Sequence, residues 1–264
     1  TDLVHAGGVD AWDFKQYVLG TMFYRYISEN ITEYINDGER EAGNESFDYA
    51  KMPDEEAETA RDGLVKSKGF FMLPSELFCN VRERAAADEN LNETLEKVFK
   101  NIESSAQGSD SEEDFKGLFA DFDVNSNKLG ATVAKRNEKL VKLLNTVAEM
   151  KLGKYQDNTI DAFGDAYEYL MSMYASNAGK KGGEYFTPQE VSELLTKLAI
   201  VGKTEVNKVY DPACGSGSLL LKAAKILGKD NIRQGFLGRK SISRRITFAE
   251  SICFCTTSSL ISSI

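Results

Sequence analysis

The chain has 264 residues, of which 42% are hydrophobic and 28% charged, and its net charge at pH 7 is −9. This length and composition are typical of a globular protein with one large domain or two smaller ones. No apolar run approaches the roughly 20 residues that a membrane-spanning helix needs, which excludes a transmembrane protein. The acidic balance also argues against an autonomous DNA-binding protein, because such proteins carry a broad basic surface.

Residues 1–152 are predicted to form an N-terminal helical domain. Helices are expected over 12–35, after the apolar run at 69–78, over 91–102 and over 133–152, because apolar residues recur there three and four positions apart. Polar segments at 37–44 and 104–114 separate them. In the first helix two rows of apolar residues predict a mostly buried helix: Phe14, Val18, Met22 and Tyr26 in one row, and Leu19, Phe23 and Ile27 in the other.

Residues 153–238 predict a change of architecture. A helix over 159–175 is followed by a helix from Pro188, a strand near 206–210 and a helix over 218–227. This order is typical of the opening of a parallel sheet. The predicted fold class is therefore α/β overall, with an all-α domain preceding the start of the sheet. The apolar residues of the 159–175 helix are Phe163, Tyr167, Leu170, Met171 and Tyr174.

The segment from Val209 to Leu220 is the clearest candidate for a ligand site. A strand ends in Asp211, and a turn containing Gly215 and Gly217 opens into an apolar helix at Ser218. Glycines let the backbone approach a ligand closely, and a helix N-terminus offers free N–H groups. The spacing is neither that of a dinucleotide fingerprint nor that of a P-loop. It suits a nucleoside ligand with an amino-acid end, although an ordinary strand-to-helix turn is the alternative.

The second candidate is Gly-Glu-Tyr-Phe-Thr-Pro-Gln-Glu at 183–190. Thr187 is a good helix N-cap, Pro188 fits the first helical position, and Glu190 completes a capping box. Capping does not account for Tyr185 and Phe186, which form either a hydrophobic staple or a platform for a ring.

Taken together, these two segments resemble the S-adenosylmethionine site of N6-adenine DNA methyltransferases. More narrowly, they resemble the methylation subunit of type I restriction-modification systems. The resemblance covers roughly residues 8–238, because the segments 12–20, 23–30, 116–123 and 163–168 also look like that subunit. It implies a Rossmann-like methyltransferase domain that begins near residue 153 and transfers a methyl group to adenine N6 in DNA.

The resemblance also implies the cofactor, partners and site residues. The cofactor is S-adenosyl-L-methionine, and N–H groups near Ser216 and Gly217 hold its carboxylate. The partners are a specificity subunit, a restriction subunit and double-stranded DNA reached through the complex, in the cytoplasm. The implied cofactor-binding residues are Glu184, Tyr185, Phe186, Thr187, Pro188, Gln189, Asp211, Gly215, Ser216, Gly217 and Ser218.

Catalysis in this family depends on a later Asn-Pro-Pro-aromatic motif, which hydrogen-bonds and stacks on a flipped adenine. No Asn-Pro pair occurs in the 264 residues, and Pro212 is the last proline. We therefore predict no catalytic residue and no methyl transfer by this chain alone. The alternatives are a non-catalytic assembly or DNA-interaction module and, less well matched to the segment at 183–190, a nucleotide enzyme of another kind.

No metal site is expected. Asp121, Asp123 and Asn125 begin like an EF-hand loop, but Ser126 and Thr132 replace its glycine and glutamate. The one histidine is His5, and the four cysteines have neither disulfide-framework nor zinc-site spacing. Together with the lack of a secretory signal pattern, the cysteines indicate the reducing cytosol.

Residues 239–264 are predicted to be an out-of-frame tail. Family members continue with Gly-Gln-Glu-Ile-Asn at the point where this chain reads Gly238-Arg239-Lys240-Ser241-Ile242. The family's glutamate contacts the ribose hydroxyls, a contact that Lys240 opposes. With suitable synonymous codons, one G inserted into codon 238 converts the tail into Gly-Gln-Glu-Ile-Asn-Leu-Thr-Thr-Tyr-Asn-Leu-Cys-Arg-Ile-Asn-Met-Phe-Leu-His. The alternative is a divergent but genuine C-terminal segment.

Sequencing the encoding DNA across the codons for Gln234 to Ser243, in the genome and in the expression clone, checks this prediction. We expect one base to be missing from this stretch, so that restoring it opens a longer reading frame downstream. A base missing only from the clone identifies a cloning artefact. An uninterrupted frame with no related sequence downstream in another frame contradicts the prediction.

Overall fold

The computed structural model describes residues 11–109, 111–150, 187, 189–212, 218–228 and 231–238. The chain divides into two compact units, with the division between residues 163 and 164. None of the helices in the described ranges has the length and apolar character needed to cross a membrane. The predicted helix at 159–175 and the predicted tail at 239–264 lie outside the described residues.

The first unit is helical, as predicted. Short 3₁₀ turns at Tyr49–Lys51 and Pro74–Glu76 join its α-helices. These are α1 Ala11–Glu41, α2 Asp54–Glu58, α3 Arg61–Lys68, α4 Phe78–Arg84, α5 Leu91–Ser105, α6 Glu112–Phe115 and α7 Val133–Ala148.

Helix α1 supplies much of the core and packs against α4 and α7. Of its two predicted apolar rows, Tyr26 is half-buried, and the side chain of Phe14 is outside the described set. The other members are buried, which confirms the predicted wide stripe: Val18, Met22, Leu19, Phe23 and Ile27.

The end of α1 corrects the sequence prediction. The polar segment from residue 37 was expected to break the helix, but the helix continues to Glu41. Arg40 supports the extra turn, because its guanidinium pairs with Asp37 at 2.7 Å. The helix ends beside Gly43, which adopts a φ of 93°, while the N–H of Asn44 donates to the Glu39 carbonyl at 2.9 Å. The left-handed conformation of Gly43, rather than the start of the polar segment at residue 37, therefore marks the end of the helix.

Aromatic rings fix how α1 crosses the rest of the unit. Phe99 of α5 stacks on Phe119 with 4.1 Å between ring centroids, and Phe122 meets Phe99 edge-on at 5.0 Å. Phe122 lies directly over Gly20, where an added Cβ would clash with the ring. A side chain at position 20 would therefore push the 116–123 segment off the helix.

Arg25 joins the two longest helices of the unit, α1 and α7. Its Nη1 donates to the carbonyls of Val147 at 2.7 Å, Ala148 at 3.2 Å and Met150 at 2.8 Å. Glu29 binds the Nε of the same guanidinium at 2.6 Å. Carbonyls at a helix C-terminus have no partner within the helix, and a cation there also interacts favourably with the helix dipole. Arg25 therefore stabilises the end of α7, which stops at Ala148 rather than at the predicted residue 152.

The other predicted helices fit well. Helix α5 includes the whole predicted range 91–102. The predicted apolar faces of α5 and α7 are both buried: Leu91, Leu95, Val98, Phe99 and Ile102 on α5, and Leu140, Leu143, Leu144 and Val147 on α7.

The second unit contains α8 Gln189–Ala199, β1 Val209–Asp211, α9 Ser218–Leu227 and β2 Phe236–Gly238. The two strands pair in parallel. Helix α9 packs against β1 and against α8. The core of this unit lies between α9 and the sheet: Leu220, Ala223, Leu227, Ile232 and Phe236. The described α/β order confirms the predicted fold class.

Replacing Arg25 with methionine tests its contribution to the first unit. We expect the free energy of unfolding, measured by urea denaturation, to fall by about 2–4 kcal/mol, because three carbonyls lose a charged donor. Arg40→Met is the matched control, since its side chain is 44% exposed and its ion pair lies on the surface. That control should change stability by about 0.5 kcal/mol or less. Equal losses in the two variants would contradict the role given to Arg25.

Candidate cofactor site

The candidate site lies at the edge of the sheet where both strands end. Parallel pairing sets Val209 opposite Phe236, Tyr210 opposite Leu237 and Asp211 opposite Gly238. Both carboxyl ends therefore meet at one edge. Asp211 is the last residue of β1 and is 7% exposed, so its carboxylate is held within this edge.

The pairing extends upstream of the regular strands. Val206 forms a parallel bridge with Ile232, and its N–H donates to the Asn231 carbonyl at 2.9 Å. Gly235 adopts a φ of 78° directly before β2. The sequence pattern does not locate β2, because three residues are too short for a periodic signal. The available signal was Ile232 and Phe236 on either side of a glycine turn.

Helix α9 follows β1 closely in the sequence. Ser218 is its first residue, and only residues 212–217 separate it from the end of β1. A helix that crosses between two parallel strands returns the chain to the same sheet, and its N-terminus then follows the carboxyl end of the first strand. In open α/β sheets this is where nucleotides and related ligands bind.

The described residues include only part of the predicted site. Asp211 stands at the sheet edge, and Thr187 is half-buried just before α8. Gln189 and Ser218 are the first residues of α8 and α9, two helices that pack against each other. The helices after the two predicted segments are thus neighbours. The other predicted site residues lie outside the described set and stay predictions: Glu184, Tyr185, Phe186, Pro188, Gly215, Ser216 and Gly217.

Gly238 is the last residue of β2 and the partner of Asp211. Lys240, which was predicted to oppose a ribose contact, lies outside the described residues, so that expectation stays a prediction.

The EF-hand-like loop has a structural role in the described part of the chain. The Asp123 carboxylate accepts the N–H of Asn125 at 2.9 Å, and the Asn125 amide oxygen accepts from the Asn92 side chain at 2.7 Å. Among the residues that the structure describes, no group of three or more histidine, cysteine or acidic side chains could hold a metal ion.

Comparison with known proteins identifies the family to which both units belong. The N-6 DNA Methylase family matches residues 158–250, which include α8, both strands and α9. The HsdM N-terminal domain family matches residues 2–147, which include all of the helices of the first unit apart from the last residue of α7. The helical unit and the α/β unit thus match two families that belong to one kind of DNA methylase.

Individual relatives agree. The type I restriction enzyme MpnII methylase subunit of Mycoplasma pneumoniae is 52% identical over 231 residues, which are 85% of this chain and 42% of that protein. The MjaIX methylase subunit of Methanocaldococcus jannaschii is 24% identical over 226 residues, or 38% of its length. The type I restriction-modification methyltransferase subunit from Streptococcus thermophilus has a crystal structure that matches with a TM-score of 0.77 at 28% identity, covering 96% of this chain and 53% of that one.

The chain therefore belongs to the HsdM-type methylation subunits of type I restriction enzymes. It spans about half the length of the relatives that it matches.

An Asp211→Asn variant tests the sheet edge as a ligand site. A carboxylate there can accept charge-assisted hydrogen bonds from the ammonium or hydroxyl groups of a ligand. We expect binding of S-adenosylmethionine to weaken about tenfold, in line with about 1.5 kcal/mol for a hydrogen bond to a charged group. Saturation-transfer NMR at millimolar ligand detects even weak binding.

Glu205→Gln is the control for this experiment, because Glu205 is exposed and forms a surface ion pair with Arg233. It should leave the NMR signals unchanged. Unchanged signals in Asp211→Asn would place the ligand elsewhere.

Proposed function

We propose that this chain forms the helical domain and the first part of the cofactor site of a subunit that methylates adenine N6 in DNA. S-adenosylmethionine supplies the methyl group. The observation that carries the proposal is the parallel pairing of Asp211, which precedes α9, with Gly238, which follows it, within the segment that matches the N-6 DNA methylases. A buried carboxylate at a strand end, followed by a glycine turn and a helix start, fits a ligand with an amino-acid end and ribose hydroxyls.

The chain's own residues bind and orient the cofactor in this proposal. Asp211 accepts hydrogen bonds at the sheet edge, and the backbone near Ser216 and Gly217 donates to the carboxylate. When bound, S-adenosylmethionine would supply the methyl group for a direct displacement by the adenine nitrogen, in which the carbon–sulfur bond breaks and the thioether leaves; such a step depends on positioning more than on a strong base. No Asn-Pro pair is present to hold the target adenine. We therefore propose that this chain alone transfers no methyl group.

A specificity subunit supplies sequence recognition in this proposal, and a restriction subunit cleaves unmodified DNA. The net charge of −9 supports this division, because a chain that carried most of the DNA contacts itself would need a basic surface. Double-stranded DNA is then bound through the assembled complex.

Lys240→Glu tests the assignment of the cofactor. Because an acid at this position accepts hydrogen bonds from ribose hydroxyls, we expect this change to tighten S-adenosylmethionine binding about tenfold or more by calorimetry. Lys203→Glu is the matched control, since it makes the same charge change at an exposed position before β1. It should leave the affinity as it is.

Three results would contradict the proposal. Equal gains in Lys240→Glu and Lys203→Glu would show that overall charge, rather than a ribose contact, sets the affinity. Labelled methyl transfer to DNA by the purified chain would contradict the proposed inactivity. Competition by NAD at equal concentration would point to a different nucleotide enzyme.

A further inference from the structure

The segment 128–142, which includes the first part of α7, concentrates positive charge. It contains five cations and one acid, Glu138, in a chain whose net charge is −9. The cations are Lys128, Lys135, Arg136, Lys139 and Lys142. Lys135, Lys139 and Lys142 stand at positions i, i+4 and i+7, which line one side of an α-helix. We call these three residues the α7 lysine stripe.

The α7 lysine stripe is accessible, and the described part of the chain does not neutralise it. Lys135 and Lys142 are exposed, and Lys139 is half-buried. None of the three lysines forms an ion pair with a described acid, Glu138 included, whereas α1, α5 and α8 each pair a cation with an acid one turn away. The Nζ of Lys139 instead donates to the Lys128 carbonyl at 3.4 Å. The stripe therefore keeps its positive charge available for an anionic partner.

The stability of α7 does not account for these cations. A helix N-terminus is the positive end of the helix dipole, where acids are stabilising and cations are not. Lys135 nevertheless lies in the first turn of α7, which contains no acid, and Arg136 follows it directly. The Arg136 guanidinium donates to the Gly130 carbonyl at 3.2 Å, but its Nε is buried without an acceptor among the described residues. Positions that break a local rule of stability in this way are candidates for a function.

The chemistry of the stripe favours phosphate groups over the surface of another protein. Lysine is depleted at the centre of protein interfaces, where aromatic side chains, methionine and arginine are enriched. Among the exposed residues that directly precede the stripe, Val133 is the one large apolar side chain, which is too little for such a centre. Lysines are instead common partners of the phosphates of DNA, which they bind without reading the base sequence.

The length of the stripe suits a few successive phosphates. Residues 135 to 142 span about 10 Å along the helix, because an α-helix rises about 1.5 Å per residue. One strand of duplex DNA carries a phosphate about every 3.4 Å along the axis, so the stripe can reach two or three phosphates of one strand.

We infer that the α7 lysine stripe contacts the phosphate backbone of double-stranded DNA and adds sequence-independent contacts to those of the assembled complex. The choice of DNA as the anion rests on the proposed function, whereas the unpaired positive surface does not. Because the rest of the chain is acidic, the chain alone binds DNA weakly, and its affinity falls with salt concentration.

Fluorescence anisotropy with the full chain and a labelled duplex of arbitrary sequence, at low salt, tests the contact. In the Lys135→Gln/Lys139→Gln double variant we expect the affinity to fall about tenfold. The slope of log affinity against log salt concentration should become shallower by about two, since each lysine–phosphate contact contributes roughly 0.9 to it. Lys51→Gln/Lys66→Gln is the matched control, because it removes the same charge from two exposed lysines outside α7. It should leave the affinity and the slope unchanged.

Three outcomes of this experiment would overturn the inference. The first is no binding of the unmodified chain at about 100 μM, the weak end of non-specific DNA affinity. The second is an equal loss of affinity in the two double variants. The third is displacement of the duplex by poly-glutamate at the same concentration of charge, which would point to an acidic protein partner.

Acetylation of lysines in the full chain, with and without the duplex, gives an independent readout by mass spectrometry. We expect the three lysines of the stripe to react at least about threefold more slowly with DNA present, because phosphate oxygens occupy their amines. Lys51 and Lys66 should react at the same rate as before. Equal rates at the stripe with and without DNA would overturn the inference. Neither experiment requires S-adenosylmethionine, so the DNA contact can fail while the cofactor assignment stands, and the reverse.

Discussion

Parallel pairing of β1 with β2 is the constraint on which the second unit depends. Two parallel strands must be joined by a crossover, and α9 provides it between Asp211 and Phe236. The pairing brings the two carboxyl ends to one edge, where a carboxylate and the chain leading to α9 meet. The same pairing leaves Tyr210 and Leu237 on the other face of the sheet, 52% and 50% exposed. Parallel sheets are normally covered on both faces, so this sheet calls for further structure on that side.

The first unit, in contrast, is held together by contacts between its own helices. Its long helix α1 is anchored by Arg25 on the carbonyls of α7 and by the close approach of Gly20 to Phe122. Buried tyrosines reinforce this core: the Tyr24 hydroxyl donates to the Glu76 carbonyl, and that of Tyr49 donates to the Met72 carbonyl. Burial raises the pKa of both hydroxyls well above the usual range, so both remain protonated donors. The helical unit therefore buries its core between its own helices, whereas the α/β unit leaves apolar side chains of its sheet exposed. The chain spans 42% of a relative that is 52% identical to it.

Local periodicity predicted much of this fold. The helices at 91–102 and 218–227 and the buried stripe of α1 follow from spacing alone, and the family followed from two short segments. Contacts between residues distant in sequence could not be predicted in this way. The binding of Arg25 to carbonyls more than 120 residues away depends on how α1 meets α7. Helix α8 shows the same limit, because an apolar stripe normally predicts a buried side, whereas its described contacts bury Ser192 and Thr196 instead. For the candidate site, the sequence patterns suggested the residues, and the structure supplied the pairing of Asp211 with Gly238.

We infer that this chain combines a helical unit whose core is buried between its own helices with an α/β unit whose sheet edge is formed but only partly covered. Native-state hydrogen exchange of the full chain, followed by mass spectrometry, tests it most directly. We expect α1, α5 and α7 to hold the slowest amides, and β1, α9 and β2 to exchange through openings that cost several kcal/mol less. Equal protection of both units, in a single cooperative opening, would contradict it.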